Sequence, residues 1–120
     1  MMTLVATSAD GKALRLAVSG HLGHDDYRAM VPRLEAAIAA HGKISLMADL
    51  TALEGVSARA VLDDFVFDIA HLRDFERIAV VGNRDWQAWS TRLGDHLTSA
   101  TMRYFNAQDA EAAWAWTQGF

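Results

Sequence analysis

The fold of this chain is decided by one stretch, FERIAVVGNRDW, which occupies residues 75–86. Within it, residues 77–81 form a short apolar run with β-branched side chains, and the Gly82-Asn83 turn signal closes the run. Apolar side chains on both faces of such a run are typical of a strand in the middle of a sheet that is covered by helices. Because helical patterns lie before and after it, the stretch indicates an α/β fold.

Length and composition predict a single domain over residues 1–120, which is enough chain to bury a core. A hydrophobic fraction of 52% excludes intrinsic disorder, and the net charge of -4 gives no electrostatic reason to expect nucleic acid as a partner. The absence of cysteine excludes disulfides and thiolate metal sites. There is no signal-peptide pattern and no apolar run of membrane-spanning length, so we expect a cytoplasmic protein.

The periodicity of the remaining sequence predicts the order β-β-α-β-α-β-α-β-α, in which the first two strands form a hairpin around Asp10-Gly11. Strands that alternate with helices predict a largely parallel sheet, and the hairpin makes this five-stranded sheet mixed. Pro32 lies inside the first helical pattern and should kink or break that helix. The predicted strands are residues 3–7, 12–19, 44–49, 77–81 and 101–105, and the predicted helices are residues 24–41, 58–73, 85–97 and 108–118.

The chain carries several short motifs in a particular order and spacing, namely Gly20, Asp26-Tyr27, Pro32-x-Leu34-Glu35, Asp64, the stretch 71–82 followed by Trp86, Arg103-Tyr104-Phe105 and Ala113-x-x-Trp116. Together they resemble the SpoIIAA-like proteins, a branch of the STAS-type fold that is also similar to CRAL-TRIO lipid-binding domains. The resemblance covers nearly the whole chain and implies a small mixed sheet with most of its helices on one side. It implies no catalytic residues. The related STAS domains that antagonise anti-sigma factors imply a regulatory module, whereas the CRAL-TRIO similarity implies an apolar ligand.

The first functional hypothesis is a non-enzymatic domain that binds an apolar or lipid-like small molecule between the sheet and the second and third helices. Large side chains without charges suit acyl or aromatic groups, although an apolar stripe at helical spacing is also the ordinary pattern of a core. The candidate ligand-binding residues are Phe65, Ile69, Trp86, Trp89 and Leu93, together with Leu53 and Val56 beside the loop glycine.

The alternative hypothesis is a protein-interaction module of the anti-sigma-factor-antagonist type, switched by phosphorylation at Ser57. A phosphate there would lie at a helix N-terminus, where free N–H groups and the helix dipole favour negative charge. Ser57 is also an ordinary N-cap residue. The antagonists resemble Asp-Ser-Ser-Gly at this loop, whereas this chain has residues 54–57, EGVS, without the double serine.

Other chemistry is weakly supported. His21 and His24 lie beside Asp25 and Asp26, but they are not spaced i, i+4 on a helix and no third histidine is near, so we predict no metal site. There is no catalytic triad, phosphate-binding loop or paired acid, so we expect neither enzymatic activity nor a cofactor.

Two residues of the second helix have open interpretations. Asp64 is expected to bond a backbone group or an arginine. Phe67 falls off its helix's apolar stripe and is either an isolated exposed residue or part of a homodimer or partner surface. The third helix offers too few basic residues for more than weak contact with a membrane surface.

Overall fold

The computed structural model describes residues 1–53, 58–70, 74–94 and 100–119. Its strands and helices follow the predicted order, with a short 3-10 turn, Ala107–Asp109, before the last helix. No helix among these residues is long and apolar enough to cross a membrane. The elements are β1 (Met2–Thr7), β2 (Ala13–Gly20), α1 (His24–His41), β3 (Ile44–Leu53), α2 (Ala58–Ala70), β4 (Phe75–Gly82), α3 (Arg84–Gly94), β5 (Thr101–Asn106) and α4 (Ala110–Thr117).

The five strands form one mixed sheet in the order β1-β2-β3-β4-β5. Strand β1 pairs antiparallel with β2, and the other three pairings are parallel. Each parallel strand lies beside the one that precedes it in the chain, so crossovers of one hand place α1, α2 and α3 on the same side of the sheet. We call this side the three-helix face. Helix α4 packs on the opposite side, the α4 face.

Strand β4 confirms the two-sided burial that its sequence predicts. Ile78 and Val80 belong to the core of the three-helix face, whereas Ala79 and Val81 belong to the core of the α4 face. None of the four is more than 4% exposed. The strand is an inner one, between β3 and β5, and the geometrical centre of the sheet is β3.

Strand β3 is longer than the sequence pattern predicts, because it continues through residues 50–53, which were expected to form a loop. The extension is explained by pairing with β2, since Ala52 lies opposite Ser19 and Leu53 lies opposite Gly20. A backbone ladder needs no alternation of side chains, so the local pattern did not indicate it.

Helix α1 runs without a break through Pro32, contrary to one of the two outcomes predicted for that residue. Tyr27, Met30 and Leu34 are buried along the helix, so packing on the sheet holds together a segment that proline would weaken in isolation. The helix ends where expected, at Gly42, which has a φ of 78° and donates its N–H to the carbonyl of Ile38 at 2.8 Å.

Candidate functional site

A small apolar cavity lies between the sheet and the helices of the three-helix face. Its volume is about 30 Å³, roughly the share of one water molecule in the liquid. All the described residues around it carry apolar or aromatic side chains, and a cavity without polar partners for water stays dry. Its lining includes Leu16, Leu46, Phe65, Val80, Trp89 and Met102.

The predicted ligand-binding residues divide into three groups in the structure. Phe65 and Trp89 line the cavity, and each is 4% exposed. Trp86 is buried in the same core but does not line the cavity, and Leu53 is half-buried against that core. Val56 and Ser57, together with the side chains of Ile69 and Leu93, lie outside the described residues.

Sequence reasoning missed the strand residues that form the floor of the cavity. Leu16, Leu46 and Val80 come from three adjacent parallel strands. The alternation of Leu14, Leu16 and Val18 in β2 was the available signal, because it identified which side chains of that strand face the core.

Trp89 is fixed in orientation by a hydrogen bond between helices. Its indole Nε1–H donates to Oδ1 of Asp63 on α2 at 2.7 Å, and the bond is partly buried. The ring of Trp86 meets that of Trp89 edge to face, with centroids 5.3 Å apart, a favourable geometry for aromatic pairs. The tryptophan pair therefore joins α3 to α2 above the sheet.

Gly82 allows the first turn of α3 to approach the end of β4. A Cβ atom built on Gly82 would lie 3.0 Å from both Cβ and Cδ1 of Trp86, closer than ordinary van der Waals contact. The carbonyl of Gly82 also accepts a hydrogen bond from the Tyr104 hydroxyl at 2.7 Å. Burial raises the pKa of Tyr104.

Two further carboxylates of α2 bond to α1. His24 Nε2 lies 2.8 Å from Oδ2 of Asp64, so the expected arginine or backbone partner of Asp64 was wrong. Tyr27 is hydrogen-bonded to Asp68, and its pKa is raised, first by burial and then by the charge of Asp68. The carboxylates of helix α2 thus accept hydrogen bonds from side chains of both α1 and α3. His24, which the sequence predicts at the start of α1, is one of the donors.

The histidine and aspartate cluster at the start of α1 is divided among separate partners. Asp25 faces Arg28 at 3.4 Å, and Asp26 accepts the N–H of Gly23 at 2.8 Å as a helix cap. Within the described ranges, no group of three or more His, Asp or Glu side chains could hold a metal ion.

Phe67 lies on the outer side of α2 and is 66% exposed, unlike the buried Phe65 two residues earlier. Asp64 and Asp68, on the same helix, are also exposed. This outer surface of α2 is therefore chemically distinct from the apolar side that covers the cavity.

The cavity offers shape and apolar contact rather than acid–base chemistry. No titratable side chain is among the described residues that line it. The nearest polar link, between Trp89 and Asp63, orients a ring of the wall and ties the two helices that close the space.

Comparisons with known proteins agree with this architecture. The sequence profile of the SpoIIAA-like family matches residues 13–118. A crystal structure at 2.25 Å resolution of an uncharacterised protein from Shewanella loihica PV-4, described as having a SpoIIAA-like fold, is similar with a TM-score of 0.71 and 31% sequence identity. The alignment covers 97% of this chain and 93% of that one. A search of curated proteins found no match. This chain belongs to the SpoIIAA-like family.

Proposed function

We propose that this protein is a non-enzymatic domain that binds an apolar or lipid-like small molecule between its sheet and helices α2 and α3. The observation that supports the proposal is the cavity at this position, whose described lining is apolar throughout. Buried apolar contacts are the main source of affinity for such ligands, and the lining supplies them from both the sheet and the helices.

Entry of a ligand requires α2 and α3 to move away from the sheet. The cavity of about 30 Å³ is an order of magnitude smaller than typical ligand sites of about 300–1,000 Å³. Two bonds in the described part of the chain tie α2 to α1. The bond between His24 and Asp64 is exposed, so water can replace it at little cost, and the bond between Tyr27 and Asp68 must also open when α2 moves. The bond between Trp89 and Asp63 links α2 to α3, so the two helices move together as one cover.

The proposal is tested by titrating the purified protein with decanoic acid and palmitic acid, followed by methyl NMR and native mass spectrometry. We expect saturable shifts at Leu46 and Met102, which line the cavity. Replacing Ala48, also in the lining, by leucine should fill the space and weaken binding by about tenfold.

The matched control is Ala17→Leu, because Ala17 is a half-exposed strand residue on the opposite side of the sheet from its neighbour Leu16. It should leave binding unchanged. The proposal is contradicted if neither fatty acid binds, or if Ala48→Leu and Ala17→Leu weaken binding equally.

A second candidate function is the regulatory protein-interaction module, which the family match favours. The exposed Phe67, with Asp64 and Asp68 beside it, offers a surface of mixed character on α2. A pull-down with the wild type should be weakened by Phe67→Ser and altered by Ser57→Asp. If Ser57→Ala and Ser57→Asp capture the same partner equally well, phosphorylation at Ser57 is not the switch.

A further inference from the structure

A polar cleft of about 270 Å³ lies on the α4 face, at the edge of the sheet where the parallel strands begin. One wall is the turn between β1 and β2, a second is formed by the first residues of β3 and β4, and the third is the end of α4. The cleft is separate from the apolar cavity, which lies on the other face. Its polar groups belong to Asp10, Lys12, Ser45, Glu76, Arg77 and Thr117, with Gln118 beside them.

Among the described residues that line the cleft, the positive and negative side chains are equal in number. Lys12 and Arg77 supply two cations, and Asp10 and Glu76 supply two anions. Asp10 stays ionised at neutral pH, because the Ser8 hydroxyl at 2.6 Å and the Lys12 N–H at 3.0 Å donate to its carboxylate and lower its pKa. A ligand with a single charge would therefore face repulsion from one of the two pairs.

Arg77 is held in place at the wall of the cleft. Its Nη1 donates to the carbonyl of Trp116 at 3.2 Å, and its guanidinium lies 5.7 Å from the centroid of the Trp116 ring. Gly119 leaves room for it, since a Cβ there would lie 3.1 Å from Nη1. A fixed guanidinium has more donors than this one bond uses, so it is suited to a carboxylate.

Two hydroxyl groups lie deeper in the cleft. Thr117 is 2% exposed, and its hydroxyl donates to the carbonyl of Ala113 at 2.7 Å, which leaves its oxygen free to accept. Ser45 is 6% exposed, and its hydroxyl has no hydrogen-bond partner among the described residues. A ligand in the cleft can therefore meet neutral donors and acceptors as well as charges.

We propose that this cleft binds a small zwitterion, of the class of the free α-amino acids. The carboxylate of the ligand faces Lys12 and Arg77, and its ammonium group faces Asp10 and Glu76. The volume of the cleft is just below that of typical drug-sized sites, which suits a small ligand. The inference is independent of the apolar ligand proposed above, because the two sites share no lining residue.

The test is a backbone-amide NMR titration of the full chain with glycine, L-alanine and L-serine. Acetate, methylamine and inorganic phosphate serve as probes of a single sign of charge. We expect saturable shifts at Ser45, Arg77 and Thr117, with affinity for at least one amino acid about tenfold higher than for any single-sign probe. Lys12→Gln and Glu76→Gln should each weaken amino-acid binding by about tenfold.

The Lys12 and Glu76 side chains are exposed, and neither makes a hydrogen bond to the described residues. Both variants should therefore keep the fold. The controls are Arg33→Gln and Glu35→Gln, exposed residues of α1, which packs on the other face. The proposal is overturned if no amino acid gives a saturable shift up to about 10 mM. It is equally overturned if phosphate or acetate binds as tightly as the amino acids, because the cleft would then be a simple anion site.

Discussion

The two faces of the sheet differ in how completely they are covered. Three helices cover one face and leave a cavity of about 30 Å³ lined by apolar side chains. In the described part of the chain, one helix of eight residues packs on the other face, beside a cleft of about 270 Å³ that is lined by two charged groups of each sign. The same strands supply both surfaces, because successive side chains point to opposite faces.

The difference follows from the connections of the sheet. Every parallel link uses a crossover helix on the three-helix face, and among the described helices it is α4 that packs on the other side. Helix α4 runs along the strands and is about 10–12 Å across, whereas five strands span about 19 Å. Its core consequently reaches β3, β4 and β5, and Val5 on β1 is 57% exposed. Coverage thus explains why the cavity on one face is apolar and the cleft on the other is polar.

The largest expected effect comes from truncating core residues on the two faces. Leu46→Ala and Met47→Ala should each lower the free energy of unfolding by about 3 kcal/mol in urea denaturation, because both side chains are at most 1% exposed. Only Leu46→Ala enlarges the existing cavity, so it alone should increase benzene binding detected by NMR. Equal benzene binding by both variants would remove the distinction between the faces.

The second prediction concerns the close approach of α3 to the sheet at Gly82. Gly82→Ala should lower the free energy of unfolding by about 2 kcal/mol and change the tryptophan fluorescence, because the new Cβ meets the Cβ of Trp86 at 3.0 Å. Gly23→Ala is the control, since its Cβ would meet only Asp26 Oδ2 at 3.8 Å, and it should cost less than about 1 kcal/mol. Equal costs would show that the contact with Trp86 is not what requires glycine.

Double-mutant cycles compare two of the links that join helix α2 to its neighbours. Combining Asp63→Ala with Trp89→Phe should give a coupling of about 1.5 kcal/mol, because the hydrogen bond is charge-assisted and partly buried. The cycle of His24→Ala with Asp64→Ala should give less than about 1 kcal/mol, because that pair is exposed. A larger coupling for the exposed pair would identify α1, rather than α3, as the element that holds α2.

Alkaline pH should weaken the three-helix face. The pKa of both tyrosines, Tyr27 and Tyr104, is raised above 10.0, mainly by burial. Folding therefore favours the neutral phenols, so their contribution to stability is complete below pH 10 and is lost as the pH rises through the folded-state pKa values. Absorbance titration at 295 nm should show no tyrosine ionising at the ordinary pKa in the folded protein, and Tyr27→Phe should reduce the alkaline loss of stability.

The smallest effect is expected on the α4 face, at the ion pair between Arg15 and Glu111. The Glu111 side chain is 84% exposed, so Glu111→Gln should change the free energy of unfolding by less than about 0.5 kcal/mol. Urea denaturation at low and high salt should show that even this difference disappears as the salt concentration rises. A larger, salt-independent loss would mean that α4 is held mainly by this pair instead of by its apolar contacts.

The sequence by itself determined the order of the elements, the mixed sheet and the two-sided burial of β4. These features depend on side-chain periodicity and on turn signals such as Asp10-Gly11 and Gly42, which act over a few residues. The extension of β3 to Leu53 escaped prediction because strand pairing, rather than local pattern, sustains it. Phe65 and Trp89 were named from helical spacing, but the same pattern cannot show whether a space remains beside them.

Only the tertiary structure decided the partners of the site residues and the shapes of the apolar cavity and the polar cleft. Trp89 and Asp63 are 26 residues apart, His24 and Asp64 are 40 apart, and Arg77 lies 39 residues from Trp116. Such pairs form because the fold brings distant helices and strands together, and no local spacing encodes them. The volumes of about 30 Å³ and 270 Å³ are what remains after side chains from many elements have packed, so they exist only once the chain has folded.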